Sequence, residues 1–331
     1  MNKYIVAFDG GGTKTDIALI DINGNVLYFE TGPGCNHASH DGRHFQNTLQ
    51  TLYLNALLNT NLKKEDISFI YLGLSGADLE SDFIKLNKGC KEIFKDTPFK
   101  VVNDAWIIMR SGLKQPYGAV AICGTGTNSA AINKNKERAI LRSLSYVLGT
   151  YGGGLDIARE ALHQAFGYEE GTYQYTMLYD EIPKIYGVND LKEVVDFFYP
   201  INKTTKKELG AITALVNELA LKGDKASIFA LSKAGTAVGM QTAGVIERVK
   251  IQDEAINVVV GGRVFSSKSD AFINAFKEAL YKRVPKAKIV KPMFKPVIGA
   301  YFSALDELNI NQTDEIEKNI LESCEKNVKE S

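Results

Sequence analysis

Asp9 stands directly before three consecutive glycines, Gly10, Gly11 and Gly12, and the run continues through Thr13, Lys14 and Thr15. Glycines remove the side chains that would hold backbone N–H groups away from an anion, so the run has the make-up of a phosphate cradle. Thr13 and Thr15 add hydroxyl donors and Lys14 adds positive charge. Asp9 is placed to hold Mg²⁺ through water, because that ion takes few protein ligands and keeps several waters; its other reading is a cap on the N–H groups of the turn. A P-loop needs Gly directly before Lys, where this chain has Thr13. Both the P-loop and the dinucleotide fingerprint lead into a helix, whereas residues 16–20 read as a strand. An ordinary hairpin turn needs one or two glycines, not three after an Asp.

The same device returns at Gly124, Thr125, Gly126, Thr127 and Asn128. Residues 6–13 lie over residues 120–127 with Val, Ala, two Gly and Thr repeated in place, and each copy is followed by another apolar strand. Two strand–glycine–strand units point to a duplicated α/β domain, and two such loops can hold the β- and γ-phosphates from opposite sides. A third candidate is Asp104, which follows the apolar Val101-Val102 and opens a helix. A carboxylate at the C-terminal end of a strand sits where α/β folds gather ligands, and an Asp is a plain acceptor for the proton of an attacking hydroxyl. The competing reading is a helix N-cap, a position Asp favours.

The elements that must carry these residues are legible from periodicity. Strands are expected at 4–8, 16–20 and 26–29, with Asn23-Gly24 as a hairpin turn between the last two. A helix follows over 41–59, a buried strand over 67–74 broken by Gly76, a helix over 79–94, a short strand over 99–102 and a helix over 105–113. Beyond the second loop the spacing predicts a helix over 155–166, a largely helical region over 173–249, a β-branched strand over 256–260 ending in Gly261-Gly262, and a helix over 270–281. Ile316, Ile320, Cys324 and Val328 recur every four residues on a terminal helix. His40 and His44 are one helical turn apart, but a solvated helix start explains them better than a metal. Cys123 reads as a small apolar residue before the second loop.

A chain of 331 residues fits two domains, and 39 basic against 39 acidic residues give no long-range field for nucleic acid or an anionic membrane. Small molecules are the expected partners. Four widely spaced cysteines form no disulfide framework or zinc knuckle. No stretch approaches the roughly 20 apolar residues that span a bilayer, and no signal peptide is read at the start, so a cytoplasmic location is expected.

The segments DGGGTKT (9–15), LSGAD (74–78), NDA (103–105), CGTGTN (123–128) and VVGGRVF (259–265), in this order, resemble the BadF/BcrA ATPase family within the actin-like and sugar-kinase superfamily, specifically its N-acetylglucosamine kinase branch. The resemblance runs over nearly the whole chain. It implies duplicated ribonuclease H-like (actin-like ATPase) domains of α/β class, with an N-terminal lobe at 1–114, a C-terminal lobe at 115–331, a nucleotide cleft between them, and a terminal helix able to return to the first lobe. It implies an ATP- and Mg²⁺-dependent kinase for an amino sugar such as N-acetylglucosamine, with Asp104 as the catalytic carboxylate. Asp9, Gly11, Gly12, Thr13, Lys14, Thr15, Gly124, Thr125 and Gly126 then serve the nucleotide phosphates, and the adenosine falls at Gly261-Gly262. The resemblance carries sugar contact onto Asn36 and His37; Ser75, Thr127 and Asn128 are further candidates for sugar ligands, with turn residues as their other reading. It leaves room for a homodimer.

One departure concerns the sugar pocket. The family turn usually carries Gly-Asp where this chain has Gly149-Thr150, and an upstream Gly-Trp-Gly is replaced by Ser143-Leu144-Ser145. Thr150 donates and accepts one hydrogen bond but cannot accept from two hydroxyls at once. The change makes room for a bulkier N-acetylated sugar such as N-acetylmuramic acid and weakens the case for free glucosamine. Two alternatives accompany the kinase reading. One is an activator ATPase for a 2-hydroxyacyl-CoA dehydratase or benzoyl-CoA reductase system, which would need four thiolates for a shared iron–sulfur cluster. The other is a non-enzymatic nucleotide switch.

Overall fold

A computed structural model describes residues 4–37, 43–144 and 146–329 of the chain, with side chains described as far as residue 323. In chain order the elements are β1 (Tyr4–Gly10), β2 (Lys14–Asp21), β3 (Val26–Pro33), α1 (His44–Thr60), β4 (Ile67–Leu74), α2 (Glu80–Phe94), β5 (Phe99–Asn103) and α3 (Asp104–Ser111). Then come β6 (Gly118–Cys123), β7 (Thr127–Ile132), β8 (Arg138–Ile140), α4 (Gly154–Glu169), α5 (Met177–Tyr186), α6 (Leu191–Val194), α7 (Lys206–Leu221) and α8 (Lys225–Arg248). The last elements are β9 (Asn257–Gly261), α9 (Asp270–Tyr281), β10 (Lys288–Val290), α10 (Pro296–Glu307) and α11 (Asp314–Lys329). The chain forms two compact units, Met1–Gly118 with Val290–Ser331, and Ala119–Ile289. The expected border at 114/115 lies within four residues of the first crossing, but residues 290–331, expected mainly in the second lobe, group with the first unit.

Each unit is built on a five-stranded sheet, ordered β3-β2-β1-β4-β5 in the first and β10-β9-β6-β7-β8 in the second. Read from the opposite edge, the second order is the first one repeated: a three-stranded meander whose first strand is flanked by two later strands. In the first unit β1 pairs antiparallel with β2 and parallel with β4, and β4 pairs parallel with β5. In the second, β6 pairs parallel with β9 and β7 antiparallel with β8. This is the duplicated ribonuclease H-like topology of class α/β.

Both faces of the first sheet are buried, so alternate residues of β1 serve different cores. Val6 and Phe8 join Phe45, Leu49 and Tyr53 of α1 and Leu86, Ile93 and Phe94 of α2. Ile5 and Ala7 face the other way, onto Ile107 of α3, Val297, Tyr301 and Phe302 of α10, and Ile316 and Ile320 of α11. Helix α10 was not anticipated: residues 297–305 are buried without a break, so no polar face gives it a helical period. Arg110, 3% exposed, pins α3 to this layer through Nε and Nη2 bonds of 2.7 and 3.0 Å to Asp306. The second unit has one continuous core, in which Ala119, Ala121 and Val258 pack among helices α4, α7, α8 and α9. Among the described residues no helix is long and apolar enough to cross a membrane.

The expected helix over 41–59 is α1, beginning at His44; positions 41 and 42 lie outside the described residues, as do His40 and Ser145. The expected 173–249 helical region resolves into α5 to α8, and the 105–113 helix begins one residue earlier, at Asp104.

Candidate active site

Strand register explains why distant candidates of the first unit share one end of its sheet. Lys14 pairs with Pro33, Thr15 with Gly10, Gly10 with Leu74, and Leu74 with Asn103. Neighbouring strands lie about 4.8 Å apart, so this row crosses the whole sheet. Apart from Asp9, which sits one position earlier opposite Asp16 and Gly73, the candidates of this unit leave from that end of the sheet: Asn36 and His37 after β3, Lys14 and Thr15 at the start of β2, Gly11 to Thr13 in the β1–β2 turn, Ser75 after β4 and Asp104 after β5.

The first glycine loop is braced from both sides. Ser75 N–H donates to Gly10 O at 2.8 Å, Cys35 N–H donates to Gly11 O at 3.0 Å, and Gly11 N–H closes the turn on Lys14 O at 2.9 Å. A Cβ on Gly34 would overlap the backbone of Gly12 and Thr13, so the exit of β3 lies against the loop. In a trans peptide C=O and N–H point in opposite directions. Since Gly11 O points at Cys35, the N–H of Gly12 points away from it, and the N–H groups of Gly12 and Thr13 have no partner among the described residues. A Cβ on Gly12 would meet no atom within 4 Å. Lys14, largely exposed, pairs at 2.6 Å with Asp16, whose carboxylate is buried and also accepts from Thr31 Oγ1 at 2.7 Å. Thr15 is buried and spends its hydroxyl on Pro33 O at 2.7 Å, so of the two threonines Thr13 is the exposed one.

The second loop repeats the arrangement. Gly124 N–H bonds Gly126 O at 2.9 Å, while Gly124 O and Thr125 O accept from Gly154 N–H and Leu155 N–H at 2.8 and 3.1 Å. These carbonyls satisfy the first turn of α4. The same two peptides therefore aim the N–H groups of Thr125 and Gly126 away from α4, and neither has a partner among the described residues. A Cβ on Gly124 or Gly126 would again meet nothing within 4 Å. Thr127 turns its hydroxyl back onto Ile122 O at 2.9 Å; Thr127, Asn128 and Thr150 are all buried.

Gly262 has φ +94°, and a Cβ there would overlap Cys123 O, so it is fixed by a left-handed turn against β6. Beside it opens a cavity of about 770 Å³ in the second unit, lined by Gly124, Thr125, Thr213, Asn217, Arg263 and Ser267 among others. Gly261 and Gly262 do not line it; the 3₁₀ turn Arg263–Ser266 that they launch does. Ser267 Oγ donates to Asn217 Oδ1, and Thr213 Oγ1 donates to Gly154 O at 2.6 Å. The space suits a nucleoside with a few placed polar groups.

Asp104 is the first residue of α3, and the cap is Asn103, whose Oδ1 accepts from Ala105 N–H at 3.0 Å. The cap reading therefore passes to its neighbour. Burial, and next the charge of Asp78, raise Asp104 to about 6, against the pull of the Ala105 and Asp104 N–H groups. Asp9 is raised to about 7, first by burial, then by the charges of Asp104 and Asp16, with Lys14 opposing. Asp9 therefore sits beside negative charge that Lys14 offsets only in part, surroundings that a divalent cation would relieve. Among the described residues no group of three or more His, Cys, Asp or Glu stands ready to enclose a metal; Mg²⁺ held mainly through water asks for none.

Asn36 Nδ2 donates to Ser75 Oγ at 3.1 Å, which joins two of the expected sugar ligands. His37 is buried and its Nε2 donates to Gly76 O at 2.8 Å, which leaves this ring atom holding the turn after β4. Asp16, Asp78, Asp82, Asn103, Asn217 and Ser267 were not foreseen. Asp78 and Asn103 sit inside segments that were picked out, but a partner across a turn has no signal in a single sequence.

The model of the BadF/BadG/BcrA/BcrD ATPase family matches residues 7–304. An N-acetylmuramic acid/N-acetylglucosamine kinase of Clostridium acetobutylicum is 26% identical over 307 residues, covering 92% of this chain and 99% of that protein. An N-acetyl-D-glucosamine kinase of Dictyostelium discoideum is 24% identical over 321 residues, with 92% and 99% covered. A crystal structure from Chromobacterium violaceum, provisionally named an N-acetylglucosamine kinase, superposes with TM-score 0.68 at 18% identity, covering 91% of this chain and 98% of the other, and so shares the fold. On its sequence match and its paired sheets, this chain belongs to the BadF/BadG/BcrA/BcrD ATPase family.

Proposed function

We propose that the protein is an ATP-dependent kinase that phosphorylates a hydroxyl of N-acetylglucosamine or a related N-acetylated sugar such as N-acetylmuramic acid. The observation that carries this reading is the pair of glycine loops, each with outward N–H groups and with glycines at 12, 124 and 126 that packing does not require. Such N–H groups suit phosphate oxygens. Both curated relatives are named as kinases of N-acetylated amino sugars, and each matches over 92% of the chain.

In this reading Gly11 to Thr13 and Gly124 to Gly126 bind phosphate oxygens, Lys14 adds charge, and the cavity beside Arg263 and Asn217 takes the adenosine. Asp9 is the residue that would hold Mg²⁺ through water, and the ion would neutralise charge on the phosphates. Asp104 accepts the proton of the attacking hydroxyl, and burial keeps it basic enough to do so near neutral pH. Asn36 and Ser75 bind sugar hydroxyls, and Thr127, Asn128 and Thr150 are the polar sugar candidates within the second unit. His37 acts through the backbone turn it fastens. Cys35, Cys90 and Cys123 are all buried, a poor arrangement for thiolates of a cluster shared between subunits. ADP release dependent on an N-acetylated amino sugar tests the proposal; ATP hydrolysis indifferent to every sugar would overturn it.

A further inference from the structure

Asp78 is an acid in a turn that other residues already fasten. Ser75 is held by Asn36, and Gly76 O accepts from His37. Asp82 accepts the N–H groups of Asp78 and Leu79 at 3.2 and 2.8 Å and so starts α2. What Asp78 itself does is accept from Asn103 Nδ2 through Oδ1 at 2.9 Å. Asn103 Nδ2 also reaches Ala77 O at 3.3 Å, and the opposite end of the same amide accepts from Ala105 N–H at 3.0 Å. An Asn amide has one donor end and one acceptor end, so a carboxylate on the donor side dictates which end meets α3.

We propose that Asp78 is a positioning residue for phosphoryl transfer: by accepting from Asn103 Nδ2 it fixes which end of that amide caps α3, and so holds in place the adjoining Asp104 at the start of the helix. The inference rests on Asp104 being the base. The cost of placing Asp78 there is visible, since burial and then the charge of Asp82 raise it to about 6, with His37 and Asn103 offsetting only part. A neutral Asn at 78 would accept the same hydrogen bond without that cost, so the turn alone does not ask for a charge. The groups that face Asp104 electrostatically are Asp9 on β1 and Asp78 after β4. Asp78 faces Asp82 on α2 and His37 after β3, and Asp9 faces Asp16 and Lys14 on β2. With Asp78 gone, Asp104 loses a like charge and its affinity for a proton falls.

The test compares wild type, Asp78→Asn, Asp78→Ala and Asp104→Asn in steady-state kinetics from pH 5 to 9, with separate titrations of ATP and sugar. Asp78→Asn should move the acid limb of kcat/KM to lower pH by about half to one unit and lower the plateau a few-fold, because a weaker base transfers the proton less readily. Asp78→Ala should show the same shift and lose about tenfold in kcat, with sugar and ATP affinity retained. Profiles that superimpose on wild type in both variants, or a raised sugar KM with unchanged kcat and limb, would overturn the role. If Asp104→Asn itself keeps full turnover, the assignment of the base has failed first; if it abolishes turnover while both Asp78 variants match wild type, only the present inference fails.

Discussion

Asp9 and Asp104, ninety-five positions apart in sequence, lie close enough for the charge of Asp104 to be the second cause, after burial, that raises Asp9 to about 7. Asp9 lies one residue before the end of β1 and Asp104 directly follows β5, with only β4 between these strands. Two carboxylates so placed oppose each other's ionisation, and a cation or a cluster of phosphates with its counter-ion changes that balance.

Asp104→Asn should retain ATP binding and lose at least about 10² in kcat, because an amide cannot accept the hydroxyl proton. Isothermal titration for ATP and an ADP-release assay separate the two effects. Turnover within a few-fold of wild type would remove Asp104 from the chemistry.

For wild type, kcat/KM should fall below an apparent pKa near 6, the value to which burial and Asp78 raise Asp104. The sign follows from the role: the base must be ionised, so activity is lost as pH drops through that value. A flat profile from pH 5 to 8 contradicts the assignment.

Asp9→Asn should raise the melting temperature of the ligand-free protein above pH 7 while lowering turnover by about 10² or more. Asp9 binds its proton more tightly when folded, at about 7 against an ordinary 3.8. Its contribution to stability is therefore full below about pH 4 and is lost as pH rises through 7. The melting difference between variant and wild type should shrink toward zero as pH is lowered across this window. Scanning calorimetry across pH reads it.

Gly12→Ala and Gly126→Ala should fold with unchanged or slightly raised stability, since an added Cβ meets nothing within 4 Å and neither glycine has positive φ. Their KM for ATP should rise about tenfold or more, because the methyl group occupies the approach to the N–H groups. Gly34→Ala and Gly262→Ala should instead lose stability, as each Cβ overlaps backbone. Unaltered ATP affinity in the first pair contradicts the phosphate role of the loops.

Much of this site was legible in sequence because it is built from backbone and short spacing: the two glycine runs, the strands that present them and Asp104 after β5 all announce themselves locally. The competing cap reading of Asp104 could not be settled in sequence, since Asn and Asp are both good caps and only the hydrogen bond from Ala105 to Asn103 decides. Helix α10 was invisible because it is buried on all sides, and its return to the first unit depends on long-range contacts such as Arg110 with Asp306. The acceptor role of Asp78 depends on a contact between residues 25 positions apart, which no periodicity records.

The most direct test of the account is a coupled ADP-release assay of purified protein with Mg²⁺ and ATP against N-acetylglucosamine, N-acetylmuramic acid, glucosamine and glucose. The account predicts turnover with one or both N-acetylated sugars, and little with free glucosamine. ADP release at the same rate with and without every sugar would contradict it.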